Sequence, residues 1–312
     1  MILVTGGSGF IGSNVVEALN KSGEDDILIA DELDTSSKWK NLNGKAFADL
    51  IDRRELFKRI DDYPIETVVH LGACTDTTEV NASKMIEANY FFSKELWSYC
   101  TNKKVKLIYA SSAAVYGDGI GGFSEDRNVQ AMFPLNLYGF SKLIFDQYAA
   151  KQKKTPPFWA GLRFFNVYGP GEAHKGNMAS MVYQMYHQIL ENGMVKLFKS
   201  YRNNYPDGGQ LRDFIFAEDV AAIICFLLKA SNCSSGFYNV GTGESHTFNE
   251  LAETVFSACH VPVKIEYIEM PKDLRAKYQY YTKSDISKLR STGCTIKLNN
   301  IQEGVKQYLS SV

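Results

Sequence analysis

The sequence predicts an α/β fold, a doubly wound parallel sheet that carries a smaller α/β cap. Short Val-, Ile- and Leu-rich runs without alternation recur through the first half, as suits strands buried on both faces of a parallel sheet. Helix-length amphipathic stretches separate them, which is the alternation of a doubly wound fold. The second half is less regular and supplies the cap.

In order, Met1–Thr5 reads as a strand and Gly12–Lys21 as a helix with Ile11, Val15, Val16 and Leu19 on one side. Ile27–Asp31 is the next strand, followed by a helix at Arg53–Ile60. Thr67–Leu71 and Lys106–Ala110 are strand-like, separated by a helix around Ala82–Cys100. Lys199–Gln210, rich in Asn, Gly and Tyr-Pro, is a loop. Arg212–Phe216 reads as one strand and Glu218–Ala230 as a helix with Asp219 in its first turn. Phe237–Val240, a helix at Phe248–Cys259 and a strand at Val263–Ile268 follow.

Composition narrows the partners. The 312 residues carry 34 Lys plus Arg against 35 Asp plus Glu, a net charge of −1, which argues against nucleic acid or an acidic membrane surface. No apolar run approaches the ~20 residues of a membrane span. Met1-Ile2-Leu3-Val4 is strand-length with no basic residue before it, so it reads as a strand and not as a signal peptide. The six cysteines lack the close spacing of a zinc site or redox dithiol and read as free thiols in a reducing cytosol. No two of the five histidines are spaced like metal ligands, so no metal is expected and the location expected is cytoplasmic.

Thr5-Gly6-Gly7-Ser8-Gly9-Phe10-Ile11-Gly12 lies between the first strand and the first helix. Glycines there allow a tight turn, close backbone approach to a pyrophosphate and close helix–strand packing. The helix N-terminus offers free N–H groups to phosphate. Asp31 ends the second strand at the distance expected of a ribose-binding carboxylate. Alone it points to a free 2′-hydroxyl and NAD; Lys38 and Arg53 could instead neutralise a 2′-phosphate, hence NADP. The spacing of Gly6, Gly9 and Gly12 resembles the extended, sugar-nucleotide-modifying branch of the short-chain dehydrogenase/reductase superfamily, which implies a Rossmann-type sheet. The division expected is a dinucleotide-binding domain, 1–166 plus about 211–240, and a substrate-binding cap, 167–210 plus about 241–312.

Tyr138 and Lys142 stand four apart on one helical face, where an ammonium would lower the phenol's pKa toward the range for proton transfer. Tyr90/Lys94 and Tyr99/Lys103 share the spacing but precede the strand at Lys106–Ala110. Only Tyr138/Lys142 follows it, and Ser112 just beyond that strand can donate to the oxygen Tyr138 serves. Sugar-nucleotide dehydratases of the branch place an acidic pair where this chain has Ala113 and Ala114, so dehydration is disfavoured.

The run from Arg163 to Ser180 contains Asn-Val-Tyr-Gly-Pro and then Glu-Ala-His-Lys-Gly-Asn-Met-Ala-Ser. With Glu95-Leu96, Arg212-Asp213-Phe214 and Tyr278-Gln279, it resembles the ADP-L-glycero-D-manno-heptose 6-epimerases over essentially the whole chain. The resemblance implies an isomerase of lipopolysaccharide inner-core precursor synthesis, with a tightly held NADP and a homo-oligomeric, pentameric assembly. It implies oxidation at carbon 6 of ADP-heptose and re-reduction from the other face, with Lys175 as a second acid/base group beside Tyr138, Lys142 and Ser112.

Carried over by position, the cofactor contacts are Phe10, Ile11, Asp31, Glu32, Lys38, Arg53, Leu71, Gly72, Ala73, Cys74, Thr75, Lys142, Val167 and Lys175, with Asn89 from the wider superfamily. The substrate contacts are Asn166, Asn177, Gln184, Phe198, Lys199, Ser200, Tyr201, Arg212 and Tyr278. Gln184 stands where familiar members have His, and the Lys199–Leu211 loop is longer than usual. A UDP-hexose 4-epimerase would keep the glycine turn and Tyr138/Lys142 but have no need of Lys175. A non-catalytic dinucleotide sensor would typically lose Tyr138/Lys142.

Overall fold

A computed structural model describes residues 1–275 and 278–312. The strands are β1 (Ile2–Thr5), β2 (Ile27–Asp31), β3 (Asp49–Asp52), β4 (Thr67–His70), β5 (Lys106–Ser112), β6 (Trp159–Phe164), β7 (Asn166–Tyr168), β8 (Val195–Phe198), β9 (Leu211–Arg212), β10 (Phe214–Phe216), β11 (Gly236–Val240), β12 (His246–Thr247) and β13 (Ile265–Ile268). The helices are α1 (Phe10–Lys21), α2 (Leu56–Arg59), α3 (Ala82–Ile86), α4 (Phe92–Lys103), α5 (Leu137–Lys151), α6 (Met181–Asn192), α7 (Ala217–Lys229), α8 (Phe248–Ala258), α9 (Lys272–Arg275), α10 (Ser287–Ser291) and α11 (Ile301–Leu309).

Seven parallel strands form the main sheet in the order β11-β6-β5-β4-β1-β2-β3, with helices on both faces. The order reverses direction beside β1 and β4, which puts a crevice at the carboxyl ends of those strands. Alternate residues face opposite layers. Leu3, Leu28, Val68 and Leu107 pack with Trp97 of α4 and Phe145 of α5. Val4, Ile29, Val69 and Ile108 pack with Val15 and Val16 of α1 and Ile223 and Leu227 of α7. These runs are apolar throughout because both faces are covered.

A separate apolar cluster joins Val182 and Met185 of α6, Leu251 and Val255 of α8, Val305 of α11 and Phe216. Capping boxes at Thr247/Glu250 and Asn300/Glu303 open α8 and α11, each satisfying otherwise unpaired N–H groups. Three short strand pairs, β7 with β10, β8 with β13 and β9 with β12, lie outside the main sheet.

The strands β6, β7 and β8 and the helix α6 have no counterpart in the sequence reading, and two further differences stand out. The stretch Arg212–Phe216 is two strands in different sheets, β9 and β10, broken at Asp213. The buried Asp213 carboxylate accepts from the backbone N–H of Thr242, Gly243 and Ser284, which draws the chain out of line. The edge strand β3 has no counterpart in the expected elements: only Ile51 of its four residues is buried.

Candidate functional site

The glycine-rich turn lies at the end of β1, in the crevice. Gly6 has φ +70°, and a Cβ there would stand 2.6 Å from the Gly72 nitrogen. A Cβ on Gly12 would meet the Gly6 carbonyl oxygen at 2.0 Å. Both substitutions are sterically closed. Gly9, at the N-cap of α1, supplies no side-chain cap, so the first N–H groups of the helix point outward with their partial positive charge.

A cleft of about 560 Å³ opens over this turn. Of the expected residues it gathers Gly6, Gly9, Phe10, Ile11, Gly12, Asp31, Lys38, Leu71, Gly72, Ala73, Cys74, Thr75, Tyr138, Lys142 and Lys175. An adjoining cavity of about 410 Å³ shares Asp31, Lys38 and Gly72 and adds Glu32 and Arg53. Asp31 is turned into the protein, accepting from the Ser8 N–H at 2.9 Å and the Lys38 ammonium at 3.0 Å. Arg53 pairs with Glu32 at 3.3 Å. Each of the two bases is therefore offset by an acid at the cleft edge.

α5 is capped by Asn136, whose side chain accepts from the Gly139 N–H, and the helix brings Tyr138 and Lys142 to the cleft. Lys142 is buried and donates to the Ala110 carbonyl oxygen at 2.9 Å; burial brings its pKa down to about 8, opposed by the Asp146 charge. Tyr138 departs from the sequence expectation. Burial holds its phenol above the ordinary value, and the hydrogen bond with Ser112 is the group that pulls it down. Ser112 also caps the turn after β5 by accepting from the Ala114 N–H.

Lys175 reaches the cleft from a different element, the 173–178 turn beyond β7, and lies 5.5 Å over the Phe10 ring. Burial lowers its pKa, with the Glu172 carboxylate opposing. Glu172 is itself buried and closes the turn at its neck, accepting from Ser180 N–H and Oγ and from the Gly169 N–H.

Two expected cofactor residues are not in the cleft wall. Asn89 is buried with its amide committed elsewhere: its Oδ1 accepts from the Cys74 N–H at 2.8 Å, and its Nδ2 donates to the Cys74 carbonyl and the Ser141 hydroxyl. It shapes the 71–75 segment from behind. Val167 pairs with Ile215 in the β7–β10 ladder. Conversely His174, Met178, Asp34 and Ser36 line the cleft without having been singled out. His174 and Met178 fall inside the quoted motif, which was the available signal.

The expected substrate residues spread along the other side. Asn166, Asn177 and Tyr201 are exposed, and Gln184 donates to the Gly176 carbonyl at 2.8 Å. Arg212 is buried with no carboxylate partner among the described residues; it donates to the carbonyls of Leu211 and Gln279 and lies 5.2 Å from the Tyr278 ring, itself 6.3 Å from Phe198. Lys199 pairs with Glu269 at 2.8 Å, and the Ser200 N–H donates to Asp207. Such a guanidinium beside aromatic faces suits a phosphate-bearing ligand. Among the described residues no three His, Cys, Asp or Glu side chains converge as metal ligands, and no helix is long and apolar enough to cross a membrane.

Comparison with known proteins shows what the whole chain is similar to. The family model for the NAD dependent epimerase/dehydratase family matches residues 2–241. A Fusobacterium nucleatum ADP-L-glycero-D-manno-heptose-6-epimerase is 46% identical over 100% of this chain and 97% of its own length. Its Nitratidesulfovibrio vulgaris counterpart is 43% identical over 99% of this chain and 97% of its own. The crystal structure of the Helicobacter pylori ADP-L-glycero-D-manno-heptose-6-epimerase superimposes with a TM-score of 0.82 at 31% identity, covering 99% of this chain and 95% of that one. A Thermus thermophilus UDP-glucose 4-epimerase in complex with NAD gives 0.80 at 28% identity, covering 99% and 97%.

Proposed function

This chain belongs to the NAD dependent epimerase/dehydratase family, and within it we propose that it inverts carbon 6 of ADP-D-glycero-D-manno-heptose to give the L-glycero epimer. The observation that carries this reading is that one cleft is lined by two proton-transfer groups from separate elements, Tyr138 on α5 and Lys175 on the turn after β7. A single-face oxidoreductase has use for only one of them.

The cleft fits a nicotinamide dinucleotide: the side-chain-free turn at Gly6, Gly9 and Gly12 and the open N-terminus of α1 would take the pyrophosphate. We propose NADP over NAD, with Lys38 and Arg53 turning from Asp31 and Glu32 to the 2′-phosphate. When bound, the nicotinamide supplies the acceptor and donor of the hydride at carbon 6. Tyr138, with Ser112 on its hydroxyl, exchanges a proton with the carbon-6 oxygen of one epimer, and Lys175 does so with that of the other. The 6-keto sugar turns between them. Lys142 anchors the end of β5 through Ala110, and Arg212 holds the diphosphate. The resemblance extends the reading to a homo-oligomer, a pentamer, acting in the cytoplasm on lipopolysaccharide inner-core precursors.

Incubation with ADP-D-glycero-D-manno-heptose, followed by chromatography against both epimers, tests the assignment. Formation of the L-glycero epimer is expected. Inertness toward this substrate together with conversion of UDP-glucose to UDP-galactose would replace it with a hexose 4-epimerase.

A further inference from the structure

The turn that carries Lys175 is tied to the glycine-rich turn by two asparagine side chains that the reaction itself does not use. Asn14, on α1, donates through Nδ2 to the Phe10 carbonyl at 2.9 Å and to the Pro170 carbonyl at 2.8 Å. Asn41 donates through Nδ2 to the Ser8 carbonyl at 3.0 Å and to the Gly171 carbonyl at 2.9 Å. Each amide has two N–H groups and directs one to either side, and Asn41 Nδ2 also lies 3.4 Å from His174 Nδ1 on the Lys175 turn. The same arrangement therefore occurs twice, side by side, across a sequence separation of 130 residues or more.

Asn41 has a second connection. It shares the 3₁₀ turn Ser37–Leu42 with Lys38, whose ammonium bonds Asp31, and Asp31 accepts from the N–H of the same Ser8 whose carbonyl Asn41 holds. The side chains of Asn41, Lys38 and Asp31 and the backbone of Ser8 close a ring. Whatever draws Lys38 off Asp31 pulls on the turn that carries Asn41, and through Asn41 on Gly171 and the segment leading to Lys175.

We infer that Asn41, seconded by Asn14, is a positioning residue that sets the Lys175 turn against the cofactor cleft and couples its order to occupation of the Lys38 end. The inference rests on the two-group reading of the site for its catalytic consequence, but not for the coupling. The acid/base group on this turn is held from outside its own segment. A group displaced by about 1 Å loses on the order of 10²-fold in rate, so the ties bear directly on turnover.

Asn41→Asp keeps the shape and removes both donors; Asn41→Ala removes them without adding charge, in case the added carboxylate disturbs the fold. Hydrogen exchange is followed at the Lys175 and Ala179 amides, which bond Glu172 and Gly176 inside the turn. In the wild type stripped of nucleotide, adding NADP slows these amides by roughly tenfold, the scale of one hydrogen bond's contribution. In either variant that NADP-dependent slowing is lost. Equal slowing in wild type and variants, or none in the wild type, overturns the coupling.

Turnover supplies the second readout. Either variant loses roughly 10- to 100-fold in kcat for epimerisation with little change in substrate KM. Combined with Lys175→Met, it adds no further loss, because both act through one group. Multiplying losses would overturn the positioning role. If Lys175→Met alone epimerises normally, the two-group reading fails, and the exchange experiment still decides the coupling.

Discussion

The Lys142 ammonium donates to the Ala110 carbonyl oxygen at 2.9 Å from one helical turn beyond Tyr138. This bond pins the start of α5 to the end of β5, and with it the orientation of the phenol. It also keeps a cation in a buried place where its pKa is about 8.

That burial has a pH signature. Unfolded, the lysine titrates near 10.5; folded, near 8. Between these values the unfolded chain binds more protons, so this residue's contribution to stability rises with pH there, and the full penalty applies below about 8. Lys142→Met is expected to be more stable than wild type near neutral pH, with the gap closing toward pH 10.5. Urea denaturation without nucleotide, near pH 7 and again near pH 10, checks this; a gap of constant size would refute it.

NADP is expected to co-purify, identified by mass spectrometry of the released nucleotide. Lys38→Ala should weaken its binding by about 1.5–3 kcal/mol, the worth of a hydrogen bond to a charged group. Asp31→Ala releases Lys38 and should leave NADP affinity intact or raise it, while Tm falls because Ser8 loses its acceptor. A marked loss of NADP affinity in Asp31→Ala would assign the carboxylate to a ribose hydroxyl and the cofactor to NAD.

Tyr138→Phe and Lys175→Met should each nearly abolish epimerisation, since general acid/base catalysis contributes ~10²–10⁴-fold. Each should still complete one oxidation–reduction half-reaction with an aldehyde analogue that can be both oxidised and reduced without inversion. Product analysis of that dismutation separates the two faces. Epimerisation at the wild-type rate by Lys175→Met would leave Tyr138 to serve both.

On the buried face of α5, Asp146 accepts from Arg163 Nε at 3.2 Å, from Ser111 at 3.0 Å and from Tyr109 at 3.1 Å, and both members of the ion pair are fully buried. Arg163→Met is expected to cost about 3–5 kcal/mol, the scale for orphaning one partner of a buried pair. The double variant with Asp146→Asn should recover part of the loss. Guanidinium denaturation of the single and double variants measures the difference.

Local patterns made the sheet and the placing of Tyr138 and Lys142 on one helix at the cleft legible. The apolar runs at β1, β2, β4 and β5 are continuous because both faces are covered, and the Tyr138/Lys142 spacing lies within one helix turn. What escaped depends on distant partners. The break at Asp213 is made by Thr242 and Ser284, 29 and 71 residues further on. Asn89 has the residue type of a cofactor contact, but Cys74 and Ser141 claim its amide. The Tyr138 phenol is governed by how deeply α5 is buried more than by the lysine one turn away, and depth is a property of packing.

The order of strands sets a timetable for synthesis. β6 ends at Phe164, yet its outer neighbour β11 is completed only at Val240, 76 residues later. At 5–20 residues per second the ribosome takes about 4–15 s to deliver it. Throughout that interval the nascent sheet has an unpaired edge along Trp159–Phe164, a segment buried from end to end in the finished protein. Such an edge pairs readily with other chains. The emerging polypeptide is thus exposed to aggregation midway through translation, and slowing initiation, which thins out neighbouring nascent chains, should raise its soluble yield.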